Sequence, residues 1–310
     1  MNAVTQNKPA TRVVIFGGTH GNEMSGVSLV KHWLQDPSEL HRVTFAAEPF
    51  LANPLAVEHC VRYIDTDLNR SFSQELLSAC SSEGDPYEVK RAREIYKKFG
   101  AKESYDFVFD LHNTTSNMGS TLLLCKADDY LALHLANYLQ CNCVDYSFPC
   151  NVYLVDVEER NNVYLQNIGK HSLSLELGPQ PQGVTRADVL ARMRELVNCS
   201  LDFLDLYNQG KEFPSFEMDI YRVTSRVDFP RDVDGEIEGF IHKELQDRDY
   251  HPLKPGDPIF QTLTGDEQSF DGEKVIYPTF INEAAYYEKK VAFIATEKVH
   301  QVVPALRVQC

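Results

Sequence analysis

The chain is short of positive charge: 30 lysines and arginines face 45 aspartates and glutamates, for a formal net charge of −15 and a pI near 5.1. Such a mean field repels phosphate backbones and anionic lipid headgroups, which argues against nucleic acid as a partner. It also repels a small anionic substrate, so a protein that binds one needs a local cluster of arginines set against the background. Cysteine is sparse as well. The eight thiols, at positions 60, 80, 125, 141, 143, 150, 199 and 310, form no CxxC pair of the kind that builds zinc ribbons or redox motifs, and reduced thiols are expected. No apolar run approaches membrane-spanning length. None precedes the strand-like Val13-Val14-Ile15-Phe16 either, so neither a secretory signal nor a transit peptide is expected. Internal repeats and low-complexity tracts are missing too. What remains, 310 residues of which 43% are hydrophobic and 24% charged, suits a globular chain large enough for two domains.

Residues 12 to 205 alternate short apolar runs with longer amphipathic stretches, the pattern of an α/β fold. Arg12 to Phe16 reads as a buried strand ending at Gly17-Gly18. Met24 to Leu34 follows as a helix with Val27, Val30 and Leu34 on one face. Glu88 to Phe99 and Ala187 to Tyr207 read as further helices, the latter with Leu190, Met193, Leu196, Val197, Leu201 and Leu204 on its apolar side. Tyr105 to Leu111, Ser120 to Cys125 and Ser172 to Leu177 read as strands. After Asn208-Gln209-Gly210 the helical pattern stops. Short Val, Ile, Phe and Tyr runs broken by Asp-Gly, Pro-Gly and Gly-Asp then predict β structure. The expected division is an α/β domain over 1–210 and a smaller β-rich domain over 211–310.

Four segments carry candidate chemistry. Gly17-Gly18-Thr19-His20-Gly21-Asn22-Glu23 is a polar turn at the carboxyl end of a buried strand, the edge where open α/β sheets bind ligands. The two-residue gap between His20 and Glu23 lets an imidazole and a carboxylate converge on one metal ion; the plainer reading is a loop with a capping Asn22 and an exposed His and Glu. Phe107-Val108-Phe109-Asp110-Leu111 runs into His112, which can complete a three-ligand set with the fourth position left to water, the composition of a catalytic zinc site. Asp110, two residues earlier on the same side of a strand, is placed to hold that imidazole or is a solvated charge.

Glu176 is a lone carboxylate in the apolar strand Leu173-Ser174-Leu175-Glu176-Leu177. It is either paired with a buried arginine or is a general base for a hydrolytic water. Lastly, Arg62-Tyr63-Ile64-Asp65-Thr66-Asp67-Leu68-Asn69-Arg70 brings two arginines and an amide together. These suit carboxylate recognition and oxyanion stabilisation, or else form a surface turn of Asp-Arg pairs.

With GGTHGNE (17–23), RYIDTDLNR (62–70), DLHNTTSNMG (110–119), ELGPQPQGV (176–184) and INEAAYYEKK (281–290) in this order, the sequence resembles the aspartoacylase and aminoacylase-3 family of zinc amidohydrolases over nearly its whole length. The resemblance implies a zinc-carboxypeptidase-like mixed sheet flanked by helices, followed by a smaller β-rich domain that covers the active site. By motif position it implies that His20, Glu23 and His112 bind one zinc ion per chain and that Glu176 is the general base. Arg62 would polarise the scissile carbonyl, Asn69 and Arg70 would grip the substrate α-carboxylate, and Tyr286 would reach in from the β-rich domain.

Aspartoacylase-like members carry a further arginine about ten residues before the base, for the aspartate side chain; here the counterpart is Gln166. A neutral amide leaves such a carboxylate unpaired. That change, together with FEMDIYR (216–222), DFPR (228–231), LQDRD (245–249) and FINEAAYYEK (280–289), resembles the aminoacylase-3 branch. Deacetylation of N-acetylated aromatic amino acids and of mercapturic acids is then implied, with N-acetylaspartate as the alternative substrate. Carboxypeptidase cleavage and a non-catalytic metal-bound interaction module are further alternatives. The resemblance also implies a cytosolic homo-oligomer with a small-molecule substrate, and allows peripheral association with the apical membrane of epithelial cells.

Overall fold

The computed structural model describes residues 4–6, 8–100, 104–155 and 163–308; Cys310 and part of the polar segment 1–12 lie outside them. In chain order the strands are β1 (Val4–Gln6), β2 (Val13–Gly17), β3 (Glu48–Leu51), β4 (Phe107–Asn113), β5 (Gly119–Leu124), β6 (Cys150–Leu154) and β7 (His171–Gly178). After the last long helix come β8 (Phe216–Val227), β9 (Gly239–Ile241), β10 (Pro258–Thr262), β11 (Glu267–Ser269), β12 (Tyr277–Thr279), β13 (Phe293–Val303) and β14 (Leu306–Val308). The helices are α1 (Met24–Gln35), α2 (Pro54–His59), α3 (Gln74–Ser78), α4 (Tyr87–Phe99), α5 (Tyr130–Asn142) and α6 (Ala187–Asn208).

The apolar strands are fully buried because helices cover both sides of the sheet. In β2 the alternation of side chains sends Val13 and Ile15 to one core, shared with α1, α5 and α6. Val14 and Phe16 go to the opposite core, against α4. Strands β3, β2, β4 and β7 run parallel, so β2, β4 and β7 end side by side at one edge. β5 then runs antiparallel to β7, with β6 and β8 parallel to it.

The expected mixed sheet and β-rich region are both present, and the sheet continues past residue 210. β8, β13 and β12 extend it to nine strands in the order β12-β13-β8-β6-β5-β7-β4-β2-β3. Gly210 falls in the turn after α6. Beyond it, β11-β10-β9 form a separate three-stranded sheet over its own cluster of Phe229, Ile259, Phe260 and Phe293. One expectation needs correcting: Leu34 is 54% exposed, whereas Trp33 and Leu29 are buried beside Val27 and Val30. The i, i+7 spacing of Val27 and Leu34 drifts off the face that meets the sheet, and the large indole fills that place instead. No described helix is long and apolar enough to cross a membrane.

Asp249 is buried beneath the segment that leads to Tyr286. Its Oδ1 accepts the Ile281 N–H at 3.1 Å while Oδ2 has no partner, and burial pushes its carboxyl up to about 7. Below about pH 4 both folded and unfolded chains hold this proton; as the pH rises toward 7 the unfolded chain releases it first, so stability falls. Asp249→Asn should therefore be more stable than the parent at pH 8, and urea denaturation should find that advantage roughly 2 kcal/mol larger at pH 8 than at pH 5.

Candidate active site

Parallel pairing of β4 with β7 puts His112 opposite Glu176 and Asp110 opposite Ser174, so all four side chains share one face of the sheet. The loop after β2 delivers His20 and Glu23 to the same place. It can do so because Gly17 and Gly21 lack a side chain: a Cβ on either would overlap backbone, of Gly26 and Ala56 respectively. His20 and Glu23 are buried, and Glu23 stands at the N-cap of α1 without capping it. The expectation of an exposed His and Glu is set aside, and Asn22 does not cap the helix, for its Oδ1 is buried without a partner.

Three donor groups converge here. Glu23 Oε1 lies 2.6 Å from His20 Nδ1, Glu23 Oε2 lies 2.8 Å from His112 Nδ1, and the two Nδ1 atoms are 3.2 Å apart. The outer nitrogens face carboxylates: His112 Nε2 is 2.7 Å from Asp110 Oδ2, and His20 Nε2 is 3.1 Å from Asp67 Oδ1. Those acceptors hold the ring protons on Nε2 and turn both Nδ1 lone pairs toward Glu23. Two lone pairs and a carboxylate aimed at one buried point repel each other unless a cation lies between them.

Without a metal, protons take that cation's place, and the titration of the cluster reflects the same demand for positive charge. Burial alone would lower the His112 imidazole, but Asp110 and Glu23 outweigh it and hold it well above its ordinary value. Burial would raise Glu23, and the two imidazoles pull it well below. Two imidazoles and a carboxylate with ligand atoms within 4.8 Å of one another fit a divalent metal with an open fourth position. Asp110 is fully buried, with Thr19 Oγ1 donating to its Oδ1 at 2.7 Å, so it is no solvated strand-end charge.

The eight residues to which the resemblance gives metal-binding, catalytic or substrate-binding roles line one cavity of about 280 Å³: His20, Glu23, Arg62, Asn69, Arg70, His112, Glu176 and Tyr286; Gln166 lines it too. Arg62 spans Glu23 Oε1 (3.3 Å) and Asp67 Oδ2 (3.2 Å), and its buried Nε has no partner. Asn69 Oδ1 accepts the Leu165 N–H at 3.0 Å, which leaves its Nδ2 as the donor available to a ligand. The Arg70 guanidinium sits 4.7 Å over the Tyr164 ring.

Glu176 makes neither a hydrogen bond nor an ion pair with a described residue, so the alternative of pairing with a buried arginine is not what is observed. Burial, reinforced by Glu23 and Glu283, raises its carboxyl well above the ordinary range against the pull of His112 and Arg62. Burial and the neighbouring Glu176 also raise the Tyr286 phenol.

Sequence reasoning missed three contributors. Asp67 joins His20, Arg62 and Lys289, whose Nζ lies 3.2 Å from Asp67 Oδ2. Glu283 accepts from Thr114 Oγ1, from the Thr115 N–H at 2.7 Å and from the Ala285 N–H at 3.0 Å, tying the Tyr286 segment to the loop after β4. Lys289 adds a cation beside Arg62 and Arg70. Asp67 lies inside a segment already noted for its arginines, and that was the available signal. The opposite wall is apolar, with Leu123, Tyr153, Val223, Phe280 and Ile294 drawn from both halves of the chain.

Residues 9–204 match the family model described as the succinylglutamate desuccinylase/aspartoacylase catalytic domain, and 216–298 match the AstE/AspA barrel-sandwich hybrid domain. The chain is 70% identical over 310 residues to a Xenopus tropicalis protein named N-acyl-aromatic-L-amino acid amidohydrolase (carboxylate-forming), covering 100% of each. It is 46% identical to mouse aspartoacylase, covering 99% of both chains. The crystal structure of murine aminoacylase 3 superposes with a TM-score of 0.94 at 48% identity, covering 97% of this chain and 100% of that one.

Metal analysis after dialysis should find about one metal per chain, and His112→Ala should lose it. Asp110→Asn keeps all three donors but loosens the ring that Asp110 holds, so titration against a chelator should show metal affinity about 10- to 100-fold weaker.

Proposed function

Since the chain belongs to the succinylglutamate desuccinylase/aspartoacylase family, we propose that it hydrolyses the amide bond of N-acetylated aromatic amino acids and of S-substituted N-acetylcysteines, releasing acetate and the free amino acid. The observation that carries the choice of substrate is Gln166. This buried amide donates to Ser174 Oγ and lines the cavity next to the apolar wall, with its Oε1 unpartnered. No guanidinium stands at that position to neutralise a side-chain carboxylate, and desolvating an unpaired carboxylate is costly. The apolar wall stabilises an aromatic or thioether side chain instead.

Zinc is the metal we assign to the His20, Glu23 and His112 donors; when bound it supplies Lewis-acid polarisation and makes a water acidic enough to ionise near neutral pH. Asn69 Nδ2 and the Arg70 guanidinium hold the substrate α-carboxylate. The Arg62 Nε–H, otherwise unpaired, is a donor for the oxyanion that grows on the acetyl carbonyl. Glu176 takes the proton of the attacking water and returns it to the departing amine. Burial raises its carboxyl above the ordinary range, which strengthens it as the acceptor of that proton. The Tyr286 hydroxyl closes the pocket over the reacting carbonyl.

In this reading 1–210 supplies the metal donors, base and carboxylate clamp, while 211–310 supplies Tyr286, Glu283 and Lys289. A cytosolic homo-oligomer able to lie against a membrane surface completes the proposal; light scattering and vesicle flotation test those two features.

Glu176→Gln should retain fold and metal while kcat falls on the order of 10²- to 10⁴-fold. Loss of metal in that variant would make Glu176 a ligand instead. The parent protein should turn over N-acetyltyrosine far faster than N-acetylaspartate, and the reverse order would assign it to the aspartoacylases. Gln166→Arg should shift the ratio of kcat/KM toward N-acetylaspartate by roughly 10- to 100-fold, the effect of one charge-assisted pair.

A further inference from the structure

Glu88 is completely buried near the start of α4, and no step of the hydrolysis uses it. A buried carboxylate is tolerated only when its acceptor capacity is filled. Here four donors fill it. Oε1 accepts from the Ile64 N–H at 2.7 Å and from Asn53 Nδ2 at 3.2 Å; Oε2 accepts from the Asp65 N–H at 3.0 Å and the Thr66 N–H at 3.1 Å. Three consecutive backbone amides of the 62–70 loop therefore point at one side chain of a neighbouring helix. The loop answers in kind, since Asp65 Oδ2 accepts the Tyr87 N–H at 2.7 Å and satisfies an orphan donor at the start of α4. The two exchanges form a reciprocal cap of the capping-box kind, built between segments more than twenty residues apart.

The clamped amides sit between the groups that face the ligand. Arg62 lies two residues before Ile64; Asp67 directly follows Thr66, and Asn69 and Arg70 come next. The Asp67 carboxylate itself accepts the Asn69 N–H at 2.9 Å, so the loop's backbone position passes directly to the residue that faces the substrate.

We propose that Glu88 is a positioning residue for recognition of the substrate α-carboxylate, setting the backbone of the 62–70 loop so that Asn69 and Arg70 meet that group at the right distance from Arg62. The proposal rests on the reading of Asn69 and Arg70 as the carboxylate clamp. Glu88→Gln replaces one acceptor oxygen by an NH₂ group that must face backbone N–H donors, which displaces the loop; the metal donors and the base stand on other segments, and because Asp67 of this loop also holds His20, metal content is the control.

The test uses the metal-loaded enzyme and the ratio of kcat/KM for N-acetyl-L-tyrosine to that for N-acetyl-L-tyrosinamide, which lacks the α-carboxylate. Glu88→Gln should keep parent metal content and lower this ratio roughly tenfold or more, chiefly through KM for the acid. A merely structural role would reduce active protein and slow both substrates alike. Should Glu88→Gln fail to fold, Asp65→Ala removes the reciprocal half of the cap at an exposed position and should lower the ratio in the same direction by a few-fold. Arg70→Ala separates the two ideas. If it collapses the ratio while the Glu88 and Asp65 variants leave it unchanged, the positioning role is overturned alone; if Arg70→Ala also leaves it unchanged, the carboxylate clamp and the positioning role fall together.

Discussion

Two imidazole nitrogens and a carboxylate turned toward one buried point repel each other, and much of this molecule is arranged to hold them there. Asp110 and Asp67 stand behind the two rings and keep their protons on the outer nitrogens. The parallel strands β2, β4 and β7 end side by side, so the loop carrying His20 and Glu23 and the strands carrying His112 and Glu176 meet at one edge. The glycines of the first loop are required because its path runs against the backbone of α1 at Gly26 and of α2 at Ala56. A divalent cation bound there would relieve the repulsion, and its binding free energy would then contribute to the fold.

Asp67 extends this centre outward. A single carboxylate takes the outer nitrogen of His20, one arm of Arg62 and the ammonium of Lys289, so the candidate metal site, a buried guanidinium and a residue of the β-rich region share one anchor. Local positive charge in a strongly acidic chain is thereby achieved by geometry. Arg62, Arg70, Arg226 and Lys289 line the cavity, and Asp67, which is not in its lining, pairs with Arg62 and Lys289.

The apolar wall of the cavity lies where the two regions join. Met118 and Tyr153 from the first pack with Tyr221, Phe280, Val291 and Ile294 from the second, and this apolar cluster includes the cavity wall. Glu283 fastens the joint through Thr114 and Thr115. On the proposed reading, a substrate side chain meets a surface that exists only when β8 and β13 have extended the sheet, whereas the reacting amide meets groups held mostly by the first region.

Local patterns made much of this legible. Periodicity marked β2, β4, β5, β7, α1, α4 and α6 because each buries a face defined by its own residues. The HxxE spacing, a histidine at a strand end and a glutamate inside an apolar strand were visible for the same reason: each is an anomaly within a few residues. Other features were decided by which segments meet. Trp33 rather than Leu34 faces the core because seven residues on a helix of about 3.6 residues per turn drift off the face that meets the sheet, and the short strands β3 and β6 are held by their neighbours rather than by their own pattern. The sheet runs past residue 210 because β8 finds β6 and β13. Asp67, Glu88, Glu283 and Lys289 look in the sequence like ordinary surface charge. Tertiary structure alone decided that each would be placed beside its partners, since the energy of a charge depends on what surrounds it and not on its position along the chain.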